Sequence, residues 1–115
     1  MFMILRFVNA MAQPADPGEA LIQAVDHGLL VFGEIVRTAI YERIERSYQI
    51  RREEIPEKVE TFHEALQDLL GTSAKVMERL IAKDFCSRLG LNFAENENWT
   101  LVDYVSYARR VKRNV

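Results

Sequence analysis

The segment around His63 comes closest to a known pattern for chemistry. A zinc-protease helix carries a second histidine four residues after the first, but that position is Gln67. Glu60 and His63 have the Glu-x-x-His spacing of di-iron bundles, which also need a second such pair and two further carboxylates. The other histidine, His27, has an alanine three residues before it. We therefore predict no metal site and expect His63 to be a solvated or hydrogen-bonded surface side chain.

The chain has one cysteine, Cys86, on the apolar side of a predicted helix and near the end of that helix. A reactive thiol needs a nearby base and an electropositive setting, so we expect Cys86 to be buried as a small hydrophobe. The sequence contains no Gly-x-Gly-x-x-Gly, no phosphate loop and no Gly-x-Ser-x-Gly elbow. We predict no catalytic residue, no cofactor and no enzymatic activity.

A basic stripe is the most distinctive charge pattern. Lys75, Arg79 and Lys83 recur every four residues and so share one face of a helix. The preceding helix carries carboxylates near its own outer face: Glu57, Glu64 and Asp68. A tight turn at residues 71–72 would place the two stripes side by side, within one chain or across a dimer. The simpler interpretation is two solvated faces, in which each exposed ion pair contributes less than ~1 kcal/mol.

The same two helices resemble a helix-turn-helix, because a glycine-containing turn precedes a basic helix over residues 73–89. A second basic group near the end of the chain would add phosphate contacts: Arg109, Arg110, Lys112 and Arg113. Cations at a helix C-terminus also complement the helix dipole without any ligand. The acidic neighbouring stripe, the net charge of -2 and the lack of base-reading side chains argue against DNA binding. DNA binding is therefore the alternative function.

The first helices are predicted from their end signals. Asp16 is placed as an N-cap, with Pro17 at the first helical position and Glu19 reaching back to the cap. Helical spacing continues to residue 48, but Gly28 and Gly33 each cost about 1 kcal/mol relative to alanine. We predict two helical segments with a kink or break near Gly33. The second should turn a broad apolar face to the core: Ile35, Val36, Ala39, Ile40, Ile44 and Tyr48.

The middle helices follow a charged connector at residues 49–54. Pro56 suits the opening of a helix that Gly71 ends, and that helix has an apolar stripe: Val59, Phe62, Leu66, Leu69 and Leu70. Thr72 or Ser73 is predicted to cap the next helix. Its apolar positions wrap widely: Val76, Met77, Leu80, Ile81, Phe85 and Leu89. We therefore expect it to be the central helix, buried on two sides.

Local motifs on both sides of a polar loop predict the end of the central helix and the start of the last helix. Gly90 followed by Leu91 fits a Schellman ending for the central helix. Thr100 and Asp103 form a capping pair, with Trp99 and Tyr104 as a hydrophobic staple; the core positions that follow are Leu101, Val105, Ala108 and Val111. Strand signals are weak throughout. The predicted fold class is all-α, a compact single-domain bundle of four to five helices over residues 16–115.

The bulk composition bounds the class of protein. A length of 115 residues suits one domain, and 49% hydrophobic with 28% charged residues is typical of a soluble globular protein. A single cysteine permits no internal disulfide, so we expect a cytoplasmic location, and no stretch approaches the ~20 apolar residues that cross a bilayer. Residues 1–15 form an apolar arm broken by Pro14, expected to be flexible or exchanged in a dimer. Arg6 interrupts its apolar part, so we expect no signal peptide.

Several strings in the sequence carry a resemblance to a known family. They are Ile55-Pro56-Glu57-Lys58, Phe62-His63-Glu64-Ala65-Leu66, Gly71, Leu80-Ile81, Leu89-Gly90-Leu91 and Trp99-Thr100-Leu101-Val102-Asp103-Tyr104-Val105. Residues 30–109 resemble the small archaeal signal-output domains, first noted in ammonia-oxidising archaea, that occur alone or at the ends of signalling proteins. The resemblance implies an all-helical module that passes a signal by protein contact, and it brings no catalytic residue.

The predicted function is therefore a non-enzymatic protein–protein interaction module, a signal-output domain that self-associates as a homodimer. The apolar arm motivates the dimer, because an exposed apolar segment favours burial on a partner. A third class is a small-molecule sensor with a pocket between helices, lined by Phe32, Tyr41, Phe62 and Phe85. We expect these aromatics to belong to the core instead.

Overall fold

A computed structural model describes residues 16–113 and contains, over that range, five α-helices and two short 3-10 helices. The elements in chain order are α1 (Pro17–Leu29), a 3-10 helix (Leu30–Phe32), α2 (Glu34–Tyr48), a 3-10 helix (Arg52–Glu57), α3 (Val59–Leu70), α4 (Ser73–Arg88) and α5 (Leu101–Arg113). No strand occurs between residues 16 and 113. The predicted all-α bundle is confirmed. The arm, residues 1–15, lies outside the described residues.

Helix α4 is the centre of the bundle, as predicted, and packs against α1, α3 and α5. Its inward side chains are Ala74, Met77, Glu78, Ile81, Ala82, Phe85 and Cys86. The crossing with α1 is close at Gly28, where a Cβ atom would lie 2.8 Å from Cγ1 of Ile81. Glycine therefore allows the two helix backbones to approach. None of the helices within the described range is both long and apolar enough to span a bilayer.

The start of α1 and the break after it follow the predicted signals. The Asp16 carboxylate accepts a hydrogen bond from the Glu19 N–H at 3.0 Å, and Pro17 is the first helical residue. Gly33 has φ 92°, a value that favours glycine. It separates the 3-10 turn from α2, so the predicted break at Gly33 is confirmed.

Helix α2 does not turn the predicted apolar face to the core. Only Ile40 and Ile44 are buried, while Ile35 is 86% exposed and Val36 and Ala39 are also exposed. The physical reason is that no neighbouring element of the described range covers the first turns of α2, so every side chain from residue 34 to residue 39 is exposed or half-buried. The first turns of α2 therefore extend beyond the helices that bury its second half.

A polar network fixes the middle of α2 to α1 and to the connector. The Asp26 carboxylate accepts hydrogen bonds from the Tyr41 hydroxyl at 2.5 Å and from both ends of the Arg52 guanidinium, and Arg37 donates to the Asp26 carbonyl at 3.2 Å. Burial alone would raise the pKa of Asp26, but the Arg52 and Tyr41 hydrogen bonds hold it below its ordinary value. The Asp26 carboxylate, which accepts charge-assisted hydrogen bonds from Arg52, thus joins α1, α2 and the connector.

Two predicted helix starts are wrong in detail. Pro56 does not open α3; it lies inside the 3-10 helix Arg52–Glu57, and α3 begins at Val59 after Lys58, whose backbone is not helical. Thr72 forms no side-chain cap on α4. Its dihedral angles are already helical, whereas a capping residue is extended, and the Gly71 carbonyl accepts from the Ala74 N–H at 3.1 Å instead.

The remaining helix ends agree with the local signals. Gly71 ends α3 with φ 59°. Beyond α4, the Leu91 N–H donates to the Cys86 carbonyl at 2.9 Å and the Gly90 N–H to the Ser87 carbonyl at 3.1 Å, the two bonds of a Schellman ending.

The start of α5 agrees in part with its predicted motif, since the Thr100 hydroxyl donates to the Asp103 carboxylate at 3.4 Å and does not cap a backbone N–H. The Asp103 carboxylate accepts from the Thr100 N–H at 2.8 Å. The rings of Trp99 and Tyr104 meet edge to face with centroids 5.1 Å apart, as a staple requires. Leu101, Val105 and Ala108 are buried as predicted, and Val111 is half-buried.

Candidate interaction surface

The predicted basic stripe lies along α4, but its members differ in their surroundings. Lys75 and Lys83 are exposed, whereas Arg79 is half-buried and its guanidinium lies 3.6 Å from the Glu95 carboxylate in the loop before α5. Within the described residues, no ion pair joins this stripe to the acidic side of α3. Asp68 instead accepts a hydrogen bond from the Tyr48 hydroxyl.

The second basic group, at the end of α5, is partly used to hold that helix. Arg109 donates to the Pro56 carbonyl at 2.7 Å, and Lys112 donates to the Leu89 carbonyl at 3.4 Å. Arg110 and Arg113 are exposed. Two of these four predicted contact residues therefore have structural partners, and those contacts attach α5 to the rest of the bundle.

An uncovered cluster of large apolar side chains lies where the end of α1 meets α2 and α4, and we call it the apolar face. Its members are Leu30, Val31, Phe32, Ile35, Val36, Val76 and Leu80. Five of them occur within seven consecutive residues, and Val76 and Leu80 are one turn apart on α4. Val76 and Leu80, which the sequence placed in the core, are 58% and 45% exposed. They lie on the side of α4 that no described helix covers.

A groove connects the two parts of the apolar face. It has a volume of about 330 Å³, and Val31 and Leu80 both line it, so the 3-10 turn after α1 and the exposed side of α4 form one continuous surface. Charged side chains border this groove. Asp84 is held by Arg88 at 3.1 Å and lies 3.3 Å from the His27 ring nitrogen Nδ1, while Lys83 forms no ion pair with a residue in the described range.

A second concave region, of about 210 Å³, lies at the start of α5 and contains a buried carboxylate. Glu78 is only 5% exposed. One of its oxygens lies 2.5 Å from the His63 ring nitrogen Nδ1, and the other accepts from the Leu101 N–H at 2.9 Å. Glu78 thus joins α3, α4 and α5 at a single point, and His63 is a half-buried, hydrogen-bonded side chain.

Glu78 was not predicted as a functional residue. A signal for it exists: Ala74, Glu78 and Ala82 are spaced by four and so share one face of α4, and all three are buried. A buried carboxylate behind an imidazole also resembles a general-base dyad. Here the second oxygen of Glu78 caps the first N–H of α5, so both contacts serve helix packing and satisfy a buried charge.

Other predicted chemical groups are found in the core. Cys86 is buried, and burial raises the pKa of its thiol, which disfavours the reactive thiolate. Phe62 and Phe85 are fully buried, while Tyr41 donates to Asp26 and Phe32 is exposed. These aromatics do not line one pocket. From residue 16 to residue 113, no three side chains of metal-binding type cluster together.

The apolar face and the concave region around Glu78 differ in whether their side chains already have partners in the fold. Both oxygens of Glu78 have partners, whereas the seven side chains of the apolar face remain in contact with water. The apolar face is therefore the stronger candidate for function. Comparison of the chain with models of protein families, with curated proteins and with solved structures gave no match.

Proposed function

We propose that the protein is a non-enzymatic interaction module that self-associates through the apolar face. The observation that carries this proposal is the exposure of Val31 (70%), which lines one groove with Leu80, and of Ile35 (86%) four residues further along the chain. Soluble monomers rarely leave so large a group of neighbouring apolar side chains in water. Covering them with a second copy would gain roughly 25 cal/mol for each Å² of apolar surface removed from water.

The charges around the apolar face favour a second copy as the partner. Glu34 and Asp84 are negative and Lys83 is positive, so the same surface offers both signs. A two-fold interface brings one patch against itself, and a patch of mixed charge pairs with itself without net repulsion. The net charge of -2 adds little long-range repulsion between copies. Self-association would then be the event by which a signal-output domain of the resembled family passes its signal.

DNA binding is the alternative, and the exposed Lys75 and Lys83 on α4 are the observation in its favour. The accessible side of that helix also carries Val76 and Leu80 among the cations. Direct contact with phosphates favours cationic and polar side chains over a row of aliphatic ones. An electrophoretic shift with duplex DNA at low salt, lost on Lys75→Glu, would favour the alternative over self-association.

Sedimentation equilibrium of the full 115-residue chain tests self-association directly. We expect the mass to rise with concentration from 13.3 kDa towards twice that value, and Leu80→Asp to shift this rise to higher concentration. Ser106→Asp is the matched control, since it adds the same charge at an exposed site on α5. Ser106 lines a groove with residues 56–61, and no residue of the apolar face lines that groove. A monomeric mass for the unmodified chain at the highest concentration would contradict the proposal.

A further inference from the structure

The apolar face contains both a projection and a groove. The projection is the first turn of α2, where Ile35 is the most exposed of the large apolar side chains described. The groove lies between the end of α1 and α4 and is lined by Val31 and Leu80. Val31 and Ile35 are only four residues apart, on the two sides of Gly33. The two features therefore adjoin on a single copy.

We propose that, in the self-associated form, Ile35 of one copy inserts into the groove of the other and Glu34 pairs with Lys83 of the other. The inference rests on the proposed function and adds the partner surface and the pairing. Because projection and groove adjoin, one two-fold axis makes the contact twice, once in each direction. Each insertion transfers an aliphatic side chain from water into a groove that is already partly apolar.

The charges match this pairing. Glu34 is the first residue of α2, is exposed, and has no ion-pair partner among residues 16–113. Lys83 lines the groove and is exposed as well. The groove's carboxylate, Asp84, is already bonded to Arg88, which leaves Lys83 as the available cation. An acidic residue entering beside Ile35 would meet that ammonium group.

Ile35→Asp is the first test of the insertion. The substitution places an acid in the first turn of α2, where the helix dipole favours negative charge, and removes a side chain that the single copy leaves in water. We expect unchanged circular dichroism and a dimer dissociation constant higher by roughly a hundredfold, as for a central interface side chain. Ser106→Asp should leave that constant unchanged. A dimer that persists with Ile35→Asp would overturn the insertion.

A charge exchange tests the pairing. Glu34→Lys and Lys83→Glu should each weaken the dimer about tenfold, since each replaces two attractive contacts by repulsive ones. The double variant should restore most of the affinity, and its dimer should weaken with added salt. Failure of the double variant to recover, with both single variants folded, would overturn the Glu34–Lys83 pairing.

The remaining outcomes separate this pairing from other occupants of the groove. Phe7→Asp in the full chain tests residues 1–15 as the occupant: a dimer lost with Phe7→Asp but kept with Ile35→Asp would assign the groove to the arm and overturn the insertion. A dimer weakened by Leu80→Asp but not by Ile35→Asp would keep the apolar face as the interface and refute the pairing alone. A dimer insensitive to Ile35→Asp, Leu80→Asp and Phe7→Asp would use a different surface and refute both the pairing and the apolar face as the interface. A chain that stays monomeric would refute both proposals.

Discussion

Helix α4 meets its surroundings in two different ways on two of its sides. On the side of Glu78, a charged residue is buried and each carboxylate oxygen has a partner. On the side of Val76 and Leu80, aliphatic residues are exposed and no described element covers them. The first side stabilises the folded chain, and the second has apolar surface that the chain alone does not bury. One helix therefore departs from the usual pattern of apolar residues inside and polar residues outside in two ways. The buried Glu78 serves packing, and the exposed Val76 and Leu80 leave a surface for a partner.

Glu78→Ala should have the largest effect on stability. It removes the partner of the Leu101 N–H and of the His63 ring at once, and buried groups left without partners are costly. We expect the free energy of unfolding to fall by about 4 kcal/mol, as for breaking a buried charged contact. Urea denaturation measures the change. Glu78→Gln is the control, because an amide oxygen still accepts from Leu101, and we expect it to lose less than Glu78→Ala. An equal loss from both variants would show that the hydrogen bond to Leu101 does not stabilise the fold.

The two halves of α2 provide a matched pair of substitutions. Ile44 is fully buried and Ile35 is exposed, yet both are isoleucines of the same helix. Ile44→Ala should lower the free energy of unfolding by about 3 kcal/mol through lost burial and a cavity. Ile35→Ala should change it by no more than about 0.5 kcal/mol. Both are compared by denaturant unfolding at low protein concentration, where dimerisation does not contribute. Similar losses would mean that the first turns of α2 are covered.

The Asp26 network predicts a loss of stability in acid. The pKa of Asp26 is lowered from its ordinary 3.8. The folded state therefore binds its proton less readily, so the stabilisation is complete above pH 3.8 and declines as the pH falls through the folded value. Asp26→Asn should remove this contribution, so the variant and the parent chain should converge in stability as the pH falls through the folded-state pKa of Asp26. Thermal unfolding at a series of pH values checks it, and a constant difference across the series would argue against the network.

Local signals in the sequence predicted most helix ends, because each end depends on residues that are close in the chain. The Schellman bonds at Gly90, the pair of Thr100 and Asp103, and the Asp16 cap all join groups no more than five residues apart. Pro56 and Thr72 were the exceptions: Pro56 lies inside a 3-10 helix, and the backbone of Thr72 is already helical.

The candidate surface was not predictable in the same way, because burial depends on which helix faces which. Ile35 and Ile40 follow the same helical spacing, yet only Ile40 has a covering neighbour. Glu78 finds its partners 15 and 23 residues away, beyond any local motif. The basic stripe was visible in the sequence, whereas the aliphatic residues between its cations were assigned to the core because their spacing suited either location.

The contact between Glu78 and the start of α5 bears on the order in which the chain folds. A helix of 13 residues is marginal in water on its own, and the acceptor for its first N–H belongs to α4. That acceptor is in place only after α4 has packed against α3 and His63 holds the carboxylate. We therefore expect α5 to dock last, so that substitutions within it accelerate unfolding while leaving the folding rate nearly unchanged.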